Sequence, residues 1–240
     1  NNPNDIRVNN VIFDKDGNLW LTNNLVEKAL KVLKANGQWQ SISLASVLPE
    51  LTAFGGLEID NYNTKWVASR KGVVGYNEKI GVLKVITEGS DKGNLPSPDV
   101  RSIAVDNKNQ LWIGTNKGLR VLSNVGNYQT EGQMTANPII ILDDNLAQEL
   151  LYEQFITDIA VDGANNKWIG TADSGVFLVS PNGQETKYHF TINNSPLPSN
   201  NINDIDVNSA TGEVFIATNK GLISFKGTAT SANEDLNNVY

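Results

Sequence analysis

Cysteine is missing from the 240 residues, histidine appears once (His189), and no apolar run reaches the roughly 18 residues that a membrane helix needs. Without cysteine there is no disulfide framework and no thiol nucleophile, a condition that suits the cytoplasm, the periplasm or a bacterial surface equally. A single histidine leaves no His cluster for a metal, and a Ser-His-Asp site built on it would need partners from distant parts of the chain. Positive charge is also scarce. Lys and Arg number 19 against 26 Asp and Glu, a net charge of -7, so the chain lacks the general basic character by which proteins displace counterions from nucleic acid. No glycine-rich phosphate loop joins a strand to a helix. These absences predict no cofactor, no bound metal, no nucleic-acid partner and no membrane span in this chain.

What the sequence has is a phrase written five times. FDKDGNLWLTNN, IDNYNTKWVASRKGV, VDNKNQLWIGTNKGL, VDGANNKWIGTADSGV and VNSATGEVFIATNKGL begin at Phe13, Ile59, Val105, Val161 and Val207. Their aromatics, Trp20, Trp66, Trp112, Trp168 and Phe215, stand 46, 46, 56 and 47 residues apart, a period that belongs to propeller blades or solenoid units. The contents favour blades. Val11/Phe13, Leu57/Ile59, Ile103/Val105, Ile159/Val161 and Ile205/Val207 keep a period of two, as on one face of a strand. A turn rich in Asp, Asn and Gly follows, then the aromatic strand, a second turn ending at Gly72, Gly118, Gly175 or Gly221, and a third strand. WQSISL, LKVITEG and TKYHFTI supply a weaker fourth. Leu48-Pro49, Leu95-Pro96 and Leu197-Pro198 mark crossovers, because proline withholds a ladder donor and pre-sets a turn.

The expected fold is therefore an all-β propeller of about five four-stranded antiparallel blades, at residues 5–50, 51–98, 99–153, 154–199 and 200–227, with a segment of a larger propeller as the alternative. Residues 228–240 read as a linker towards a further domain. The third unit holds about ten extra residues, in which a short helix is predicted from Asn145 to Phe155, capped by Asp143, Asp144 or Asn145, with Leu146, Leu150 and Leu151 as its stripe. The fifth unit lacks a convincing outer strand, so open edges would invite pairing with another chain, a homodimer included.

Most of the phrase reads as architecture. Asp14, Asp16 and Asn18 alternate as in a calcium loop, but the twelfth position is Leu25 and other copies lose the second Asp; an Asp capping its own hairpin is the simpler reading. The recurring aromatics read as wedges between blades and not as a sugar-stacking row, since burying about 200 Å² of ring is worth up to roughly 5 kcal/mol. The pairs Asp143/Asp144 and Asp204/Asp206 have the residue types of a glycosidase, yet acidic pairs near turns are usually solvated.

The consensus V-x-x-I-x-x-D-x-x-[GN]-x-[LK]-W-[IV]-[GA]-[TS]-x-x-G-[LV] resembles the regulator-propeller repeat of extracytoplasmic sensor regions in hybrid two-component systems of the Bacteroidetes group. LWLTNNLVEKALKVLKANGQW, SGVFLVSPNGQE and GEVFIATNKGLISFKGTAT resemble, more narrowly, the PorZ-type propellers of type IX secretion. That resemblance implies an exported, non-enzymatic protein at the periplasm or cell surface of a Bacteroidetes-type bacterium, working with the secretion sortase and an anionic lipopolysaccharide. A sensor of a two-component receptor and a glycan-degrading enzyme are the alternatives.

Binding is expected on the face built from the turns between second and third strands, NNLVEK, SRKG, TNKG, TADSG and TNKG. Arg70, Lys71, Lys117 and Lys220 lie there, with Arg101 near the start of an inner strand, and would suit an anionic glycan, lipopolysaccharide or a phosphorylated lipid headgroup. The insertion from Asn124 to Phe155 breaks the repeat and is a second candidate surface for a protein partner.

Overall fold

The structure is a computed structural model that describes residues 7–130, 134–143, 146–227 and 229–230. Most of the tail read as a linker, 228–240, lies outside these residues. The chain divides into two compact units, Asn1–Ile139 with Leu151–Ile156, and Ile140–Leu150 with Thr157–Tyr240.

The first unit holds three blades. Strands β1 (Val8–Phe13), β2 (Leu19–Asn23), β3 (Leu30–Leu33) and β4 (Trp39–Ile42) form the first antiparallel sheet in that order, and β5 (Phe54–Ile59), β6 (Lys65–Ser69), β7 (Gly72–Tyr76) and β8 (Leu83–Ile86) the second. In the third, β9 (Val100–Val105), β10 (Leu111–Thr115) and β11 (Gly118–Leu122) pair, and a 3-10 helix at Val125–Gln129 follows. Its outer strand is reduced, among the described residues, to one antiparallel bridge between Val121 and Asn137, whose N–H and C=O groups exchange two bonds of 2.9 Å. The second unit holds the hairpin β12 (Ile140–Asp143) and β13 (Leu146–Glu149) and two blades. One is four-stranded, β14 (Ile156–Val161), β15 (Lys167–Thr171), β16 (Val176–Val179) and β17 (Thr186–Phe190), and one three-stranded, β18 (Ile202–Val207), β19 (Glu213–Thr218) and β20 (Gly221–Lys226).

The helix predicted over 145–155 does not form. Leu146–Glu149 pairs with Ile140–Asp143, and Leu151 and Glu153 have φ of 55°, a left-handed backbone that no α-helix contains. The three leucines make no stripe, since Leu146 is exposed while Leu150 and Leu151 are buried. Three apolar positions are too few to distinguish a helical face from a hairpin followed by a tight turn.

Blades meet through one recurring kind of core. Each combines the tryptophan of one blade, the crossover leucine, and an inner-strand apolar residue of the next: Trp20, Leu48 and Leu57; Trp66, Leu95 and Ile103; Trp168, Leu197 and Ile205. An aromatic from the next blade closes each tryptophan off. Tyr76 lies 6.0 Å from Trp20, Tyr128 5.8 Å from Trp66 and Phe225 5.3 Å from Trp168, tilted or edge-on as ring quadrupoles favour. Tyr76 and Phe225 hold the same place, four residues after the turn glycine. In the third blade Leu122 holds that place and Tyr128, from the 3-10 helix, covers Trp66 instead. Gly75 makes room for this, because a Cβ there would stand 2.8 Å from the Tyr128 ring. Trp20, Trp66, Trp112 and Trp168 are all at most 2% exposed, whereas Phe215 is only half-buried; in its strand Val214 and Ile216 are the buried residues.

Candidate functional site

In the first four units the turn after the inner strand is built around an acidic side chain with two jobs. Asp14 Oδ1 accepts the backbone N–H groups of Asp16 and Asn18 at 3.0 and 2.9 Å, and its Oδ2 accepts the Trp20 indole N–H at 2.8 Å. Asp60 repeats this with Tyr62, Thr64 and Trp66, Asp106 with Lys108, Gln110 and Trp112, and Asp162 with Ala164, Asn166 and Trp168. The residue three places on is left-handed, as Gly17, Asn63, Asn109 or Asn165. In the fifth unit Asn208 takes the turn N–H groups of Ala210 and Thr211 while Phe215 replaces the indole. The carboxylate's second oxygen and the N–H that needs it disappear together. Donors surround both Asp14 oxygens.

The environments of these carboxylates differ. Burial pushes Asp14 up, but bonds from Asn18 and Trp20 and the charge of Lys65 outweigh it and leave the carboxyl below its usual range. For Asp60 burial outweighs the bonds from Thr64, Trp66 and Tyr62, and the carboxyl is raised. Lys65 explains part of the contrast. Its side chain is wholly buried, its ammonium 2.6 Å from Glu78, 3.8 Å from Asp14 and 4.3 Å above the Trp20 ring. A charge so placed ties the first blade to the second and holds Asp14 ionised.

The opposite turns are held by a hydroxyl. Ser69, Thr115, Thr171 and Thr218 each donate to the carbonyl of the turn glycine at 2.8 to 2.9 Å, and each accepts a turn N–H, from Lys71, Lys117, Ser174 and Lys220. The glycines are obligatory: φ at Gly72 is 122°, and a Cβ there would lie 2.3 Å from the Ile86 carbonyl oxygen.

On this face the expected basic residues are partly neutralised. Arg101 grips Asp99 through Nε and a terminal nitrogen, both at 2.7 Å, while Arg70 reaches the same carboxylate at 3.2 Å. The guanidinium of Arg101 also lies 4.8 Å from the Phe155 ring. Two cations on one anion leave the cluster net positive and partly open, with the Arg70 side chain 41% exposed. Lys71 pairs with Glu50 at 3.1 Å, and Lys117 is exposed. Lys220, exposed, occupies the matching turn of the second unit. Of the basic residues expected on this face, Arg70 and Arg101 share the Asp99 carboxylate and Lys71 meets Glu50.

His189 lies on β17, exposed, stacked at 3.9 Å on Phe177, with Nε2 2.6 Å from the Ser174 carbonyl oxygen. Asp204 and Asp206 share a face of β18; burial, and then the charge of Asp206, raise Asp204. Asp144 and Asn145 lie outside the described residues. Among the described residues no helix is long and apolar enough to cross a membrane.

Inner strands, wedged aromatics and Leu-Pro crossovers define a β-propeller, and comparison with known proteins shows what it resembles. Residues 94–117 match the family described as two component regulator propeller. No curated protein sequence matches the chain. Among solved structures it is similar to PorZ, an essential bacterial surface component of the type IX secretion system of Porphyromonas gingivalis, at TM-score 0.84 and 27% identity over 100% of this chain and 34% of PorZ. It therefore spans about a third of that relative's length. The extracellular domain of a protein assigned to a one component system of B. thetaiotaomicron matches at TM-score 0.65 and 14% identity, over 92% of this chain and 31% of that one. Virginiamycin B lyase from Staphylococcus aureus matches at 0.63 and 13%, over 94% and 71%; these two likenesses concern fold alone. The chain is thus a β-propeller similar to PorZ, with a match to the two component regulator propeller family at residues 94–117.

Proposed function

We propose that this propeller is a non-enzymatic binding module of an extracytoplasmic bacterial protein and that the Arg70–Asp99–Arg101 cluster, flanked by Lys71 and Lys117, receives an anionic group of a protein partner or surface glycan. The observation that carries the reading is the convergence of two arginines from adjacent blades on one carboxylate. Asp99 orients the Arg101 fork and leaves Arg70 donors directed to solvent, an arrangement suited to a second carboxylate or a phosphate. Lys220 is assigned the same role in its own unit. The likeness to PorZ supports a place at the cell surface.

The test is binding of an anionic lipopolysaccharide, and of heparin as a control polyanion, at low and high salt. Saturable binding that weakens with salt and falls in Arg70→Ala and Arg101→Ala is expected; binding indifferent to salt and to both substitutions would refute the proposal. A second reading, the sensing region of a two-component receptor, is favoured by the match at residues 94–117. A complete gene encoding a downstream membrane span and kinase would establish it.

A further inference from the structure

The turns at the other end of the strands, away from the arginine cluster, enclose a polar cleft of about 360 Å³ in the first unit. Lys15 and Asp16 from the first blade, Tyr62 and Lys79 from the second and Gln129 from the third contribute to its lining. Propeller architecture does not require it. Four of the five first-hairpin turns carry no aromatic; the second alone places a tyrosine beside its left-handed residue. Tyr62 is pinned through its backbone, donating to Asp60 at 2.9 Å and accepting from Asn77 at 2.9 Å. Its ring rests against Gly126, where a Cβ would stand 3.4 Å from Cε2, and the residue is 50% exposed. A half-open aromatic on a backbone held from both sides is a stacking platform that needs little ordering when a ligand arrives.

The junction between the first two turns also lacks a bond that the next junction has. Asn109 Oδ1 accepts the Asn61 N–H at 2.8 Å, joining the third turn to the second. Asn63, at the equivalent left-handed position, has its Oδ1 buried without a hydrogen-bond partner. Lys15 reaches across instead to Asn61 Oδ1 at 3.3 Å. Around the platform stand the exposed ends of Lys15, Lys79 and Gln129, with Asp16 as the one acidic group among the lining residues.

From this geometry we infer a saccharide subsite for a uronic-acid-containing oligosaccharide, a sugar ring packing on Tyr62 with its hydroxyls on Gln129 and Asn61 and its carboxylate between Lys15 and Lys79. It is independent of the arginine cluster. Trigalacturonate, with uncharged maltotriose in parallel, is titrated into isotope-labelled protein and followed by amide chemical shifts. Saturable shifts of residues 61–63, Lys79 and Gln129 are expected with trigalacturonate, weakened about tenfold or more by Tyr62→Ala, a loss of about one decade in Kd, and unchanged by Arg101→Ala. Gln129→Ala, on an exposed side chain, gives a second weakened variant should Tyr62→Ala not fold. Absence of saturable shifts with both sugars up to roughly 10 mM, a range that covers even weak sites, overturns the subsite. Undiminished binding by the folded Tyr62→Ala protein does so too, and equal affinity for maltotriose overturns the acidic assignment.

Discussion

The pairing of an aspartate with a tryptophan six residues on makes a quantitative prediction at Asp60 and Trp66. Trp66→Phe keeps an aromatic wedge but removes the indole N–H, leaving Asp60 Oδ2 without the 3.0 Å donor it has now. An unsatisfied buried acceptor costs about 1–3 kcal/mol, more when charged, and the smaller ring next to Tyr128 adds about 1–2 kcal/mol for lost packing. Asp60→Asn keeps an oxygen for the N–H groups of Tyr62 and Thr64 but turns an amide NH2 towards the indole N–H, at a cost of about 2–3 kcal/mol for a lost charge-assisted bond. Burial already raises Asp60, so removing its charge returns part of that. In the double variant neither the acceptor nor the donor exists, which is the state the chain itself adopts with Asn208 and Phe215. The two changes should therefore be less harmful together than their sum, by about 1–3 kcal/mol of coupling. Urea midpoints of the four proteins, at a shared m-value, measure it. Additivity within about 0.5 kcal/mol would mean that the aspartate serves the turn alone and that the fifth unit's double change is accidental.

Other expectations follow from neighbouring geometry. Gly75→Ala should destabilise by about 1–3 kcal/mol through displacement of Tyr128, whose phenol burial pushes up to about 12; a urea midpoint and the alkaline titration of tyrosine absorbance read the two effects, and an unshifted titration would contradict the displacement. The first two blades should answer acid with opposite sign. Asp14 lies below its usual 3.8, so its contribution is present above that value and lost as pH falls through the folded pKa. Asp60 lies above 3.8, so its contribution is full below that value and lost as pH rises through the folded pKa. Relative to wild type, Asp14→Asn should thus be more damaging near neutrality than at about pH 3, and Asp60→Asn less damaging near neutrality than at that pH; urea midpoints of both variants at the two pH values decide it.

The sequence announces the repeat because its determinants are local. A left-handed Asn or Gly, a turn hydroxyl and a Leu-Pro crossover each act within a few residues, so their spacing is their structure. The Asp–Trp bond is equally visible in the interval of six in four units and in the joint change to Asn and Phe, but an acidic residue at the start of a turn is already accounted for as a cap. Lys65 is different. At the position where the first and third units have Leu19 and Leu111, a lysine reads as solvated, and only the approach of Asp14 and Glu78 from other segments makes its burial tolerable. The insertion after β11 suggests a helix where a hairpin forms for a related reason, since outside the repeat no neighbouring copy fixes the register.

The candidate sites follow the same division. Arg70 and Arg101 are recognisable as basic, but that they share one carboxylate depends on Asp99, which Arg70 reaches only once two blades are stacked. Tyr62 was present in the quoted turn and carried no signal, because a tyrosine in a hairpin is unremarkable until Gly126 of the next blade is seen to support its ring. Periodicity identifies what every blade must have, and so hides the proposed subsite, which lies where one blade departs from the others and a neighbouring blade holds that departure in place. A residue that matches its repeat should be tested for stability, and one that breaks it for binding.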